Sequence, residues 1–487
     1  MRLDDLAGAT VLVLGLGIDN LAALDAVLAA GPGRVLAAVD DPDAASVADR
    51  DRLGALDIVL IAAENAIDAG REASAPLIVL RAPGYPRRGE VCTRLEDAGA
   101  VFTTAVDLWI GTHGAARPIV AITGTKGKST VTALLDSLLD LLGVEHLMGG
   151  NIGLAIWAEA PNPPPGVPAV IEVSSYMAAD AHHAPTIGVL TSLDADHLTW
   201  HGSIERYRSD KLRLFSGGEQ PPQVVLVDGG DPVALKAIGR TGLPVQVVDP
   251  GSGLASAAGA RLAERGFPRH LRSNLALAAA AAERLCDLLG LGDVPLDGAL
   301  TELADHYVAL PSRHATIGEH RGVRYIDDAL ASNPFAAAAA LDAVGEVPVT
   351  WLIGGQSRDV SLAPMAAALA QRRSPTLLLG LPDTGEAWCA QMAAPSGSSG
   401  SSGHRRGGHR SPAGWPRDRR GRRCWGGGAH RGHPNPRGRG GAVRPGRAHA
   451  VAAGYLPRAG SRLCRSLRGA QRGLRRITGI VRSVRCW

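Results

Sequence analysis

The sequence predicts an α/β protein with a three-domain architecture and a basic tail. Short apolar runs of strand length alternate with Ala- and Leu-rich helical stretches over residues 1–392. One of these runs leads into a Gly-rich loop that opens directly into a long helix. Beyond residue 393 the composition changes abruptly. The expected divisions are a Rossmann-like unit at 1–105, a central phosphate-loop unit at 106–310, an incomplete Rossmann-like unit at 311–392, and a tail at 393–487.

In the first unit, residues 11–14, 35–39, 58–62 and 77–80 are near-continuous Val/Leu/Ile/Ala runs, the pattern of parallel strands covered on both faces. Residues 21–30 between the first two have helical spacing, which makes a βαβ unit. In the central unit, strands are expected at 118–122, 169–173, 187–191 and 223–227, with helices at 129–142 and 273–289. Leu310-Pro311-Ser312 breaks the pattern. After it, strands are expected at 323–326, 349–353 and 376–379, and a helix at 335–344.

The 487 residues carry a formal net charge of +4, which averages two unlike halves. Residues 401–487 hold 22 Arg, no Lys and one acid, Asp418, whereas residues 1–400 hold 29 basic and 46 acidic residues. The Arg/Gly/Pro-rich tail is not expected to pack a core. It reads as a solvated tail, as a nucleic-acid-binding arm, or, best, as out-of-frame translation of a GC-rich gene, in keeping with only four lysines in the chain (Lys126, Lys128, Lys211, Lys236). The six cysteines show no CxxC spacing, which disfavours a zinc site or a disulfide framework and fits a reducing cytoplasm. No apolar run is long enough to span a bilayer, and the first residues lack a signal-peptide core, so a membrane is not expected as a partner.

The strongest motif is Gly124-Thr125-Lys126-Gly127-Lys128-Ser129-Thr130, between a strand and a helix. Glycines let several backbone N–H donors converge on a phosphate, and the helix N-terminus adds favourable partial charge. Lys128 is placed to reach the β/γ-phosphates and Ser129 to ligate Mg²⁺. A weaker loop, Gly15-Leu16-Gly17-Ile18-Asp19-Asn20, has Asn20 where a dinucleotide fingerprint has its third Gly, and Asp40 lies at the usual distance for a ribose-binding acid. Glu172, at a strand end, can ligate Mg²⁺ beside such a loop. His197 follows another strand end, and Lys211 lies 14 residues later.

In order and spacing these elements resemble the Mur ligase family, the ATP-dependent amide-bond ligases of peptidoglycan synthesis. The resemblance adds Gly149-Gly150-Asn151-Ile152-Gly153, Glu172-Val173-Ser174-Ser175, Asp196-His197-Leu198, Tyr207-Arg208-Ser209-Asp210-Lys211, His270 with Asn274, Leu310-Pro311-Ser312-Arg313-His314, Tyr325-Ile326-Asp327-Asp328 and Gly354-Gly355. The first unit, with Gly15-Leu16-Gly17 and Ala82-Pro83-Gly84, resembles the branch that adds glutamate to UDP-N-acetylmuramoyl-L-alanine. The resemblance implies a cytoplasmic, monomeric enzyme that activates the substrate carboxylate as an acyl phosphate. It implies Mg²⁺ near Ser129 and Glu172, and a second Mg²⁺ near His197 and a carbamylated Lys211. Lys128, His197 and Lys211 would be catalytic. Asn274, Arg313 and Asp328 would hold ATP. Gly15, Leu16, Gly17, Asp40, Pro83, Gly84, Asn151, Ser174, Ser332 and Arg358 would bind the substrates.

Three positions depart from the family pattern. Leu330 stands where a lysine is usual, Arg358 where another lysine is expected, and Met177 where a Gln is usual. Because Arg is a planar fork and Lys a point charge, the glutamate pocket is altered; this resembles the variant ligases that add L-glutamate, with D-glutamate as the alternative. The third unit also lacks an evident later segment to close on glutamate, which predicts a poorly active chain. A folylpolyglutamate-synthase-like ligase fits the phosphate loop but not the first unit. Nucleic-acid binding through the tail is the alternative from another class, and nucleic acid is not expected as a partner.

Overall fold

A computed structural model describes residues 1–71, 75–218, 220–251, 253, 255–331, 333–355, 361–393 and 449–454. Three sheets follow one another along the chain.

The first sheet contains β1 (Thr10–Leu14), β2 (Arg34–Val39), β3 (Val59–Ala62), β4 (Leu77–Arg81) and β5 (Val101–Thr103). All pairings are parallel, and the order is β3-β2-β1-β4-β5. β1 and β4 are buried along their whole length, as expected of central strands with both faces covered. The strand order reverses beside β1, and the loops after β1, β2 and β4 open there, where ligands enter open α/β sheets.

The central sheet contains β6 (Ile119–Thr123), β7 (Leu147–Gly150), β8 (Ala169–Glu172), β9 (Ile187–Leu190), β10 (Val224–Asp228) and β11 (Val245–Val248). It is also parallel, in the order β11-β10-β9-β6-β8-β7. The helix Lys128–Leu141 covers one face, packed on the helix His270–Leu288. The latter runs Ala-rich and is buried along its apolar stripe. The other face shares a continuous core with the first sheet. Two tryptophans lock that junction reciprocally: Trp109 donates its indole N–H to the Ala160 carbonyl at 2.8 Å, and Trp157 donates to the Ala105 carbonyl at 2.7 Å.

The third sheet contains β12 (Ala315–His320), β13 (Val323–Asp328), β14 (Val349–Ile353), β15 (Thr376–Gly380) and β16 (His449–Gly454), ordered β12-β13-β16-β14-β15. Only β12 and β13 pair antiparallel. β16 corrects the sequence expectation that nothing after residue 393 joins the fold. Its backbone pairs with β13 on one side, Tyr325 opposite Val451, and with β14 on the other, Trp351 opposite Ala452. Averaging composition over the basic tail hides this run of His-Ala-Val-Ala-Ala-Gly, and a strand with two neighbours needs only a few small or apolar residues. The rest of the tail lies outside the described residues.

β16 is testable through its backbone. Proline donates no N–H and is excluded from central strands. Ala452→Pro is therefore expected to lower the melting temperature and to expose the third sheet to limited proteolysis. An unchanged melting curve and digestion pattern would show that this segment contributes nothing to the sheet.

Candidate active site

The central sheet delivers three loops to one point. β6 runs into the Gly-rich loop, β8 ends on Glu172, and β9 runs into residues 191–197. Gly124 and Gly127 have φ of +152° and +87°. A Cβ on Gly124 would lie 1.9 Å from the Thr191 hydroxyl oxygen, and one on Gly127 2.5 Å from the Asn274 Oδ1. Both positions are therefore closed to larger residues by shape as well as by backbone conformation. The loop is bolted to the neighbouring one. Thr125 N–H donates to the Ser192 carbonyl at 2.9 Å, Lys126 N–H to the Ser192 hydroxyl at 2.8 Å, and the Thr191 hydroxyl to the Lys126 carbonyl. The Thr125 hydroxyl bonds Tyr207 at 2.7 Å. Thr191 and Ser192 were not signalled by sequence as anchors of this loop, because each acts through a partner distant along the chain; Tyr207 belongs to the Tyr207–Lys211 element of the family resemblance.

Cations crowd this loop. Lys128 donates its Nζ to the Gly124 carbonyl at 2.9 Å, and Lys211 donates to the same oxygen at 3.0 Å. Lys211 is buried, and burial, reinforced by the charge of Lys128, holds its amine well below the ordinary lysine range. Burial also lowers Lys128. It pushes Lys126 down to about 8, partly offset by Asp196, whose carboxylate lies 3.4 Å away. Ser129 and Thr130 occupy the first turn of the following helix.

Glu172 is buried. Its Oε1 accepts from the Asn151 amide at 2.7 Å, and its Oε2 is buried with no hydrogen-bond partner. A carboxylate oxygen held dry beside a phosphate-type loop suits a cation. Among the described residues no three His, Cys, Asp or Glu side chains form a ready-made metal cluster. His197 sits at φ +53°, in the left-handed region where His is, with Asn and Asp, among the better tolerated non-Gly residues, and its Nδ1 bonds the Tyr176 hydroxyl at 2.8 Å. Ser174 caps the helix Ser175–Ala178, accepting from Met177 N–H at 3.2 Å.

The third sheet reaches the same place. Arg313 donates to the Ser129 hydroxyl at 2.9 Å across 184 residues. Asp328, at the end of β13, accepts from His314 N–H at 2.8 Å, and burial raises its carboxyl to about 7. Ser332 and Arg358 lie outside the described residues. Leu330 is exposed.

A separate cavity of about 460 Å³ opens at the reversal point of the first sheet. It gathers Gly15, Leu16, Gly17, Asp40, Pro83, Gly84 and Asn151, together with Tyr85 and Met177. Tyr85 donates to Asp40 at 2.7 Å. Asn20 donates to the Gly15 and Leu80 carbonyls at 3.0 Å each, so at the third fingerprint position it ties the loop to β4.

With this geometry in place, comparison with known proteins is informative. Residues 122–248 match the family model described as Mur ligase middle domain. A Micromonospora protein named UDP-N-acetylmuramoyl-L-alanine–L-glutamate ligase is 33% identical over 81% of this chain and 86% of its own. A Sphingopyxis alaskensis protein named UDP-N-acetylmuramoylalanine–D-glutamate ligase is 34% identical over 73% of this chain and 79% of its own. The chain belongs to the Mur ligase family. A solved UDP-N-acetylmuramate-alanine ligase of Thermotoga maritima aligns over 95% of this chain at a TM-score of 0.46 and 14% identity. No described helix is long and apolar enough to cross a membrane.

Gly127→Ala places a side chain in left-handed backbone and against Asn274. It should cost about 1–2 kcal/mol from conformation alone and weaken nucleotide binding, read by chemical denaturation and by titration calorimetry with ATP. Wild-type values in both would contradict the loop geometry. Asp328 gives a pH signature. Its carboxyl stays protonated in the folded chain between about pH 4 and 7 while the unfolded chain has released the proton. Stability therefore falls as pH rises through that window and levels off above it. Asp328→Asn should remove this fall, gaining on the order of 4 kcal/mol over the parent by pH 8. Parallel pH–stability curves for the two proteins would disprove the burial effect.

Proposed function

We propose that this chain is an ATP-dependent ligase that joins L-glutamate to the carboxylate of UDP-N-acetylmuramoyl-L-alanine, forming an amide, ADP and phosphate. The observation that carries the reading is the convergence of Lys128 and Lys211 on the Gly124 carbonyl, within a loop whose glycines admit no side chain.

A carboxylate is a poor acyl donor. Phosphorylation by ATP gives it a leaving group, and the glutamate amine then displaces phosphate from the acyl phosphate. The loop N–H groups and Lys128 hold the phosphates and oppose the charge that develops on the transferred group. Arg313 reaches the loop from the third sheet and holds the phosphates from the far side. Asn274 and Asp328 complete the nucleotide site, with Asp328 toward the ribose.

Ser129 and Glu172 would hold Mg²⁺, and His197 with Lys211 a second ion. Bound there, Mg²⁺ supplies Lewis-acid neutralisation of the phosphoryl charge. Lys211 suits carbamylation because burial holds its amine well below the ordinary lysine range. The lone pair adds to CO₂, one proton leaves, and a neutral amine becomes an anion in a strongly cationic pocket. Lys128, His197 and Lys211 are the catalytic residues of this reading.

The cavity of the first sheet takes the UDP end of the substrate, with Asp40 toward the ribose, the loops at 15–17 and 83–84 along the pyrophosphate, and Asn151 toward the sugar. Ser174, Ser332 and Arg358 belong to the substrate side in the same reading. The L-enantiomer is favoured by Met177, Leu330 and Arg358. It is also favoured by two relatives named for L-glutamate, from Micromonospora and Salinispora tropica, of which the chain covers 86% and 85%. D-Glutamate is the second reading, supported by the relatives named for that enantiomer.

Phosphate release by the purified full chain with ATP, UDP-N-acetylmuramoyl-L-alanine and each glutamate enantiomer tests both. Faster turnover with L-glutamate is expected. Faster turnover with D-glutamate reverses the stereochemical assignment, and release with neither removes the ligase reading.

A further inference from the structure

Three arginines at the end of β4 and in the loop after it cross from the first sheet to two acids of the central unit. Arg81, fully buried, donates to Asp180 at 2.6 Å and to the Tyr176 carbonyl at 2.6 Å. Its remaining N–H groups hold the carbonyls of Ala82, Pro83 and Tyr85, so it shapes the loop that lines the cavity. Arg87 takes the other oxygen of Asp180 at 2.7 Å. Arg88 reaches further, to Asp210, and grips both carboxylate oxygens at 2.8 and 2.7 Å.

Asp210 is the residue before Lys211 on the helix Ile204–Ser216. Its Oδ2 is also shared with His201 Nδ1 at 2.6 Å, and His201 Nε2 bonds the Ser175 hydroxyl at 3.0 Å. His201, Ser175 and Asp210 are all buried. One carboxylate thus ties together the cavity loop, the short helix Leu198–His201 and the Lys211 helix. Through His201 it also reaches the helix that follows Glu172. None of these four side chains lines the cavity.

We propose that Arg88, Asp210, His201 and Ser175 form a positioning bridge through which the nucleotide-sugar loop of the first sheet sets the place of the Lys211 amine. The bridge rests on the ligase reading above for its consequence, not for its geometry. A bidentate Arg–carboxylate pair fixes direction as well as distance. A lysine displaced by a fraction of an ångström would be misplaced for chemistry while the cavity itself stayed intact. The four are positioning residues, so their loss should appear in kcat rather than in substrate affinity.

The test compares the full-length parent, Arg88→Ala, Ser175→Ala and the double variant. Each single change is expected to lower kcat about tenfold while KM for UDP-N-acetylmuramoyl-L-alanine moves less than about twofold. The double variant should be no worse than the poorer single one, because both ends break the same bridge. Arg88→Lys should recover only part of the loss, since a point charge cannot make the two-pronged contact. Multiplying losses in the double variant, or a raised KM at unchanged kcat, would overturn the proposal.

A second measurement needs no turnover. In the absence of ATP and glutamate, the UDP-sugar peptide should slow amide hydrogen exchange in residues 204–216 of the parent and not of Arg88→Ala. Equal slowing in both proteins also overturns the bridge. If the parent forms no ligation product, the proposed reaction fails, while the exchange comparison still decides the bridge.

Discussion

Two lysine side chains aimed at one backbone carbonyl set the terms for this protein. Lys128 and Lys211 both donate to Gly124 O, in a site buried enough to depress both amines. Cations gathered in a poorly hydrated place are costly unless something anionic joins them. The nearest acids only partly meet that need. Asp196 faces Lys126, and Glu172 keeps one oxygen without a hydrogen-bond partner. The gathered amines favour an anionic partner at this loop, and its glycines let the chain pack tightly against Thr191 and Asn274.

The sheets exist, in this light, to bring separate loops to that point. Parallel strands put all their C-terminal ends on one edge, so β6, β8 and β9 can each deliver a functional loop there. The first sheet is joined to the central one by a shared core and by the reciprocal tryptophan contacts, which orient its cavity toward Asn151 and Met177. The third sheet has its own core and sends Arg313 to Ser129. The Gly-rich loop region and the first-sheet cavity are linked at Glu172, whose carboxylate accepts from the cavity residue Asn151.

Much of this was legible in the chain. The apolar runs at 349–353 and 77–80 fall on β14 and β4, because buried parallel strands read as short continuous runs rich in Val, Ile and Leu. The Gly-rich loop was legible because its chemistry needs particular residues at fixed spacing. Short strands were missed: β5 has three residues, and β7 ends in two glycines. β12 escaped because its partly exposed pattern carries Gly, Glu and His. β16 escaped because six residues of strand lie within a basic tail. Ser174 carried a substrate expectation and is found capping a helix, a role its residue type suits equally well.

By itself the sequence determined the fold class, the family and the place of the Gly-rich loop, since each is written in local pattern and spacing. Only the tertiary structure decided that Lys211 shares an acceptor with Lys128, that Arg313 reaches Ser129 across 184 residues, and that Arg88 grasps the acid beside Lys211. Those are encounters between residues far apart in the chain. No local propensity records them, because burial and desolvation arise only when the sheets close around the site.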